Sequence, residues 1–92
     1  MVISIRGERS SEAGAILVEI ARKYLPHTTI DVVDEYEIDV NTFIMLLSQC
    51  NIVGKYYDTV YCAKIEYNIV NKILLAYRSG NKYRLVVAVF KR

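Results

Sequence analysis

Residues 30–39 constrain the fold more than any other stretch, because Ile30, Val32, Asp34, Tyr36 and Ile38 alternate with Asp31, Val33, Glu35, Glu37 and Asp39. A period of two puts a mostly apolar set on one side of an extended chain and a mostly acidic set on the other, the pattern of a half-buried strand. An extended segment cannot pair its own backbone N–H and C=O groups, so the rest of the chain has to build a sheet around it. Asp39-Val40-Asn41 then reads as a turn and Thr42–Ser48 as a second, more buried strand. A competing reading of Thr28 to Cys50 is a helix-turn-helix, with Asp39 as the cap, Thr42 and Phe43 following and Leu46 facing the core. Charge opposes its use on DNA: residues 27–54 hold five acids and no Lys or Arg, whereas a recognition helix draws most of its affinity from cations that neutralise phosphates.

The flanking segments supply the partners. VISIR (2–6) is β-rich and ends at Gly7. Ser10 or Ser11 can cap a helix in which Ala13, Ile16, Leu17, Ile20, Ala21 and Tyr24 form one apolar stripe, stopped by Pro26. YRLVVAVF (83–90) reads as a strand. Residues 59–79 are ambiguous. As a helix they place Lys64, Asn68, Asn71, Lys72, Arg78 and Ser79 within an arc of about 120°, at about 100° per residue, with Asp58 as N-cap and Gly80 past the C-terminus. As a strand pair, with Ser79-Gly80-Asn81 as a hairpin turn like a wing, they leave Ile69 and Val70 in a turn, which wastes apolar surface. The helix is therefore the expectation. The predicted fold is a single α+β domain over 1–92, a two-layer sandwich of β-α-β-β-α-β order with both helices on one small sheet; a winged helix-turn-helix is the alternative.

The unit ISIRGERSSEAGAILVEIARKYLP (3–26) resembles the second strand and second helix of the Alba family of small archaeal nucleic-acid-binding proteins. The shared features are Arg6-Gly7 closing the strand, Ser11 and Ala13 opening the helix, and Tyr24-Leu25-Pro26 ending it. TIDVV and TFIMLL would correspond to that family's last two strands. IVGKYYD with a 59–79 helix would supply its first strand, Gly-Lys loop and first helix by circular permutation, which small domains tolerate. The resemblance covers about half the chain. It implies a nucleic-acid contact at Lys55, although Tyr56 and Tyr57 stand where further basic residues are found in the family. The family's long basic hairpin has no counterpart in the short 39–41 turn.

Charge is polarised along the chain. Residues 55–92 carry eight Lys or Arg against two acids, within a net charge of +2. These cations are interspersed with Tyr56, Tyr57, Tyr61, Tyr67, Tyr77 and Tyr83, and such mixtures bind phosphates and stack on bases. The resulting expectation is a small non-catalytic binding protein, a homodimer, that contacts nucleic acid through Arg6, Arg9, Lys55, Tyr56, Lys82 and Arg84. The loop Arg6-Gly7-Glu8-Arg9 before a helix N-terminus could hold a phosphate. The alternative is a protein-interaction module or accessory subunit, including a viral or plasmid inhibitor, that offers the acidic face Asp31, Glu35, Glu37 and Asp39 to a basic partner. No enzyme is expected, because His27 is the lone histidine and no Ser–His or Cys–His pairing can be argued. No metal or cofactor is expected either.

Cys50 and Cys62 show neither a zinc-knuckle nor a secreted-framework spacing and read as buried free thiols in a reducing cytosol. Met1–Ile5 is followed at once by Arg6, Glu8 and Arg9, so no signal peptide is expected. No apolar run approaches the ~18–20 residues that span a bilayer. A cytoplasmic setting is thus expected, and the Ile-, Val- and Tyr-rich composition suits a thermophile.

Overall fold

The computed structural model describes residues 2–92. The chain runs β1 (Ser4–Arg6), α1 (Ser11–Tyr24), β2 (Thr29–Ile38), α2 (Val40–Leu47), β3 (Ile52–Tyr56), β4 (Thr59–Glu66), β5 (Lys72–Ser79) and β6 (Lys82–Lys91). All six strands form one open mixed sheet of order β1-β2-β6-β5-β4-β3. β1 and β2 are parallel, which requires a crossover, and α1 provides it. Every other neighbouring pair is antiparallel.

α1 forms where its capping residue and apolar stripe place it. Ser10 Oγ accepts the Ala13 N–H at 3.1 Å, and Ala13, Ile16, Leu17, Ile20 and Ala21 are buried. They pack on Ile73, Leu75 and Tyr77 of β5, Ala63 and Ile65 of β4, and Val86 and Ala88 of β6. The alternate residues of the same strands, Cys62, Ala76 and Leu85, form a second cluster with Phe43 of α2. Since successive side chains point to opposite faces of a strand, the helices lie on opposite faces of the sheet.

This corrects the predicted two-layer sandwich, with its two helices on one face, and the winged helix-turn-helix alternative. Two segments account for the difference. Residues 42–48, expected as a strand, form α2 up to Leu47 with Ser48 as its C-cap; Asp39 Oδ1 accepts the Thr42 N–H at 2.8 Å, and Phe43 and Leu46 turn to the sheet. In an apolar run this short, the helical and strand periods cannot be told apart; the capping aspartate decides it. Residues 59–79, expected as one helix, are β4 and β5, paired from Tyr61–Tyr77 to Glu66–Lys72. Ile69 does sit fully exposed in their connection, and Val70 is exposed beside it. Exposing two aliphatic side chains forfeits roughly 1.5–3 kcal/mol each. The two strands bury Tyr61, Cys62, Ala63, Ile65, Ile73, Leu75, Ala76 and Tyr77, which outweighs that loss. With 59–79 in strands, the helix that the permuted half of the Alba resemblance calls for is absent, while residues 3–26 do fold as strand and helix.

Two local features shape the β1–α1 corner. The β2–β6 register shifts between Val32 and Asp34, so Val33 is a bulge. Gly7 has φ +96°, and a Cβ there would lie 2.3 Å from the Val32 carbonyl oxygen. Only glycine lets the chain leave β1 this close to the bulged strand. On the α2 side, Cys50 and Cys62 are joined in a disulfide, not held as free thiols, which ties the end of α2 to β4.

Candidate nucleic-acid interface

The structure separates the six residues expected to touch nucleic acid. Arg6 lies on β1 at one edge of the sheet, and Lys55 and Tyr56 lie on β3 at the other. Five inter-strand gaps of about 4.8 Å put these edges roughly 24 Å apart. Lys82 opens β6 at the β5–β6 turn, with its Nζ 3.7 Å from Glu37. Arg9 and Arg84 do meet, in the wall of a pocket of about 250 Å³ at the start of α1 that Glu8, Ser10, Val33, Asp34 and Glu35 also line.

That pocket borders a closed polar network. Glu35 has a side chain only 5 % exposed. Its Oε1 accepts the Ser10 N–H at 2.9 Å; its Oε2 accepts the Tyr77 hydroxyl and Arg84 Nε, both at 2.8 Å. Tyr77 OH also lies 2.9 Å from Ser10 Oγ. Burial pushes the Glu35 carboxyl up, but the bonds donated by Ser10, Arg84 and Tyr77 outweigh it and hold the group below its ordinary value of 4.5. Burial, together with the neighbouring carboxylate, pushes the Tyr77 phenol up to about 12. The Glu35 hydrogen bond raises the Arg84 guanidinium further. With its carboxylate occupied by three donors, Glu35 pins the first turn of α1 to β5 and β6.

The acids expected on one face of β2 are divided by the Val33 bulge, Asp31 on one face of the sheet and Glu35 and Glu37 on the other, and each is engaged within the chain. Asp31 Oδ1 is 3.1 Å from Arg6 Nε, Glu37 pairs with Lys82, and Glu35 with Arg84. Asp39 caps α2, and its bonds to the side chain and backbone of Thr42 hold its carboxyl below the usual range. Because β1 covers only Thr29–Asp31, the rest of β2 is an open edge. The bulge at Val33 and the carboxylates guard it against further strand pairing.

A different group of cations converges. β2 begins, β6 ends and β5 begins at one end of the sheet, since Thr29 pairs with Lys91 and Lys72 with Val89. α1 returns to the same end, where Thr28 O accepts the Ser4 N–H at 3.0 Å. Arg22 and Lys23 close α1, Lys72 opens β5, and Lys91 and Arg92 follow the end of β6, so all five belong to segments that begin or end on that side, and all are exposed; Glu66 lies there too, opposite Lys72. Among the described residues, none of the five lies within ion-pair distance of a carboxylate. Beside them Tyr67 is 61 % exposed, with the Arg92 guanidinium 5.5 Å above its ring. In the sequence these five are split between residues 22–23, 72 and 91–92. Only the strand order, which rests on reading 59–79 as two strands, brings them together.

Among the described residues no cluster of three His, Cys, Asp or Glu side chains could hold a metal ion, and no helix is long and apolar enough to cross a membrane. The fold and these surfaces define a small α+β domain with one open six-stranded mixed sheet and a helix on each face. Comparison with family models, with curated proteins and with solved structures finds no match to this chain.

Proposed function

We propose that the protein is a small non-catalytic binding protein that contacts a nucleic-acid backbone through the basic end of its sheet. The observation that carries this reading is that Arg22, Lys23, Lys72, Lys91 and Arg92, on segments that begin or end on one side of the sheet, are exposed and have no ion pair to a carboxylate among the described residues, with the exposed ring of Tyr67 beside Arg92. Cations already paired inside the chain gain less from a phosphate than free ones, which favours this group over Arg6, Lys82 and Arg84. Tyr67 takes the stacking role, with Arg92 supporting its face. Lys55 and Tyr56 stand on a separate edge. The protein works in the cytoplasm of a thermophilic archaeon, a setting compatible with its disulfide because intracellular proteins of hyperthermophiles are rich in such bonds.

A protein partner is the second reading. It draws on the exposed outer side of α2, where Val40, Ile44 and Met45 face solvent. The acidic face expected on β2 supports it less, because each of its four carboxylates already has a partner in the chain.

The test is fluorescence anisotropy of labelled random duplex and single strands across a salt series. Five neutralised phosphates give a slope of log K against log salt of about −4.5 on duplex. Replacing Lys72 and Lys91 together by Glu should abolish binding at low salt, while Arg6→Ala should leave it unchanged. Absence of binding at ~50 mM salt, where phosphate contacts are strong, sinks the nucleic-acid reading.

A further inference from the structure

We propose that the connection between β4 and β5 is a wedge, and that Ile69 at its tip enters the base stack of a double helix from the minor groove and kinks it. The inference rests on the nucleic-acid reading and names the target within it, duplex DNA at a step that unstacks readily.

Three observations carry it. The first is the placing of the exposed aliphatic side chains. Ile69, Val70, Val89 and Phe90 line a hollow of about 300 Å³ between this connection and the end of β6. Ile69 does not fold down into that hollow: it is fully exposed, and Val70 beside it is half exposed.

The second observation is the charge around the tip. Lys72 follows Ile69 by three residues, Lys91 lines the same hollow, and the Arg92 guanidinium lies over the ring of Tyr67, two residues before Ile69. The nearby carboxylate, Glu66, is engaged by Lys64 at 3.8 Å. An aliphatic tip among cations complements a polyanion whose interior is apolar. In a duplex the phosphates meet the cations while the tip reaches the bases, the arrangement by which an apolar wedge kinks DNA from the minor groove.

The third observation is that the tip is held. Asn68 Oδ1 accepts the Ile69 N–H at 3.0 Å, and the Phe90 N–H donates to Asn71 O at 3.1 Å. The Tyr67 ring packs edge-on against Phe90, with centroids 5.7 Å apart. An anionic lipid surface also takes aliphatic and cationic groups, but it yields around whatever enters it. A base stack opens only to a side chain fixed in position. Tyr67 adds a second reason: a closed duplex offers its exposed ring no base face to stack on, and the step that Ile69 opens does.

The test uses a duplex of about 20 bp with a central TA step, which unstacks easily, 2-aminopurine at that step and a dye at each end. At ~50 mM salt, where phosphate contacts are strong, the wild type should raise both the 2-aminopurine emission and the end-to-end energy transfer. Ile69→Ser leaves every cation in place, so the slope of log K against log salt should stay as in the wild type. The same variant should lose both signals and bind the duplex roughly tenfold or more weakly. Its thermal melt should not change, because the side chain is fully exposed. Ile69→Leu should keep both signals. Salt-dependent binding with neither signal overturns the wedge and leaves the nucleic-acid reading standing, as does a kink that survives Ile69→Ser. Absence of binding to duplex and single strand alike removes both. Binding to phosphatidylglycerol vesicles that Ile69→Ser abolishes, with the duplex left stacked, assigns the tip to a lipid surface and overturns the proposal.

Discussion

Glu35 to Gln is the sharpest probe of what holds α1 on the sheet. The side chain keeps its shape but loses its charge and one acceptor. Its remaining carbonyl can serve either Ser10 N–H or the Tyr77 and Arg84 side, now separately occupied by Oε1 and Oε2. If the carbonyl faces Arg84, the amide NH₂ is driven against the Ser10 N–H. An unsatisfied buried donor costs about 1–3 kcal/mol. The Arg84 bond adds about 1 kcal/mol, discounted because that side chain is 31 % exposed and water can replace part of the pairing. The loss is therefore about 2–4 kcal/mol. With an m-value of about 1 kcal/mol per molar in urea for a chain this small, the midpoint should fall by roughly 2–4 M. The effect has a defined pH dependence. Glu35 sits below its ordinary 4.5 in the folded chain, so its contribution is fully present above that value and is lost as pH falls through the folded pKa. Wild type and variant should thus converge in strong acid. An unchanged midpoint at pH 7, or a gap of constant size down to pH 3, would refute the reasoning.

Two further substitutions test the local geometry. Gly7→Ala combines a left-handed φ with a Cβ 2.3 Å from the Val32 carbonyl, whereas Gly80→Ala has φ +63° and nothing within 4 Å. The first should cost at least ~2 kcal/mol and the second only about 1, so thermal melts should separate them clearly. Reducing the Cys50–Cys62 bond, which spans a sequence separation of 12, should lower stability by about 3 kcal/mol through the freed unfolded chain. A Cys50→Ala and Cys62→Ala double variant should match the reduced protein in urea and ignore reductant; a wild type insensitive to reductant refutes the bond.

The α1 stripe was legible in the sequence because one side of that helix is buried and the other wet, and β2 and β6 form where extended segments were expected. The single apolar face read for β2 is corrected by the bulge at Val33: Ile30, Val32, Glu35 and Glu37 share the α1 face of the sheet, and Asp31, Tyr36 and Ile38 the other. α2 and the β4–β5 pair were not legible, and for related reasons. The β4–β5 pair lies where the sheet is covered on two sides, so apolar residues occur at consecutive positions, as at Tyr61–Ala63 and Leu75–Tyr77, and a period of two is blurred; α2 is apolar on its exposed side too, at Val40, Ile44 and Met45, which hides its helical period. The cap at Asp39 was visible, but charge arguments against DNA binding also weighed against the helix, although charge bears on a helix's partner and not on its formation. Ile69 misled in the opposite way: a fully exposed isoleucine in a turn contradicts the usual sorting. The basic end went unseen because its members are distant in sequence and meet only through strand order.

The place of β6 has a consequence for how the chain is made. It lies between β2 and β5, so in the sheet the β1–α1–β2 unit meets the β3–β4–β5 meander only through residues 82–91. During synthesis both units wait with an open edge until residue 91 has left the ribosome. Until β6 emerges, Lys82 and Arg84, the partners of Glu37 and Glu35, are not there to pair with them. The waiting strand therefore carries bare carboxylates that repel copies of itself, the property that keeps an exposed edge from aggregating. The acidic stripe acts first as a guard on the nascent chain, and the last strand to arrive brings the charges that stand it down.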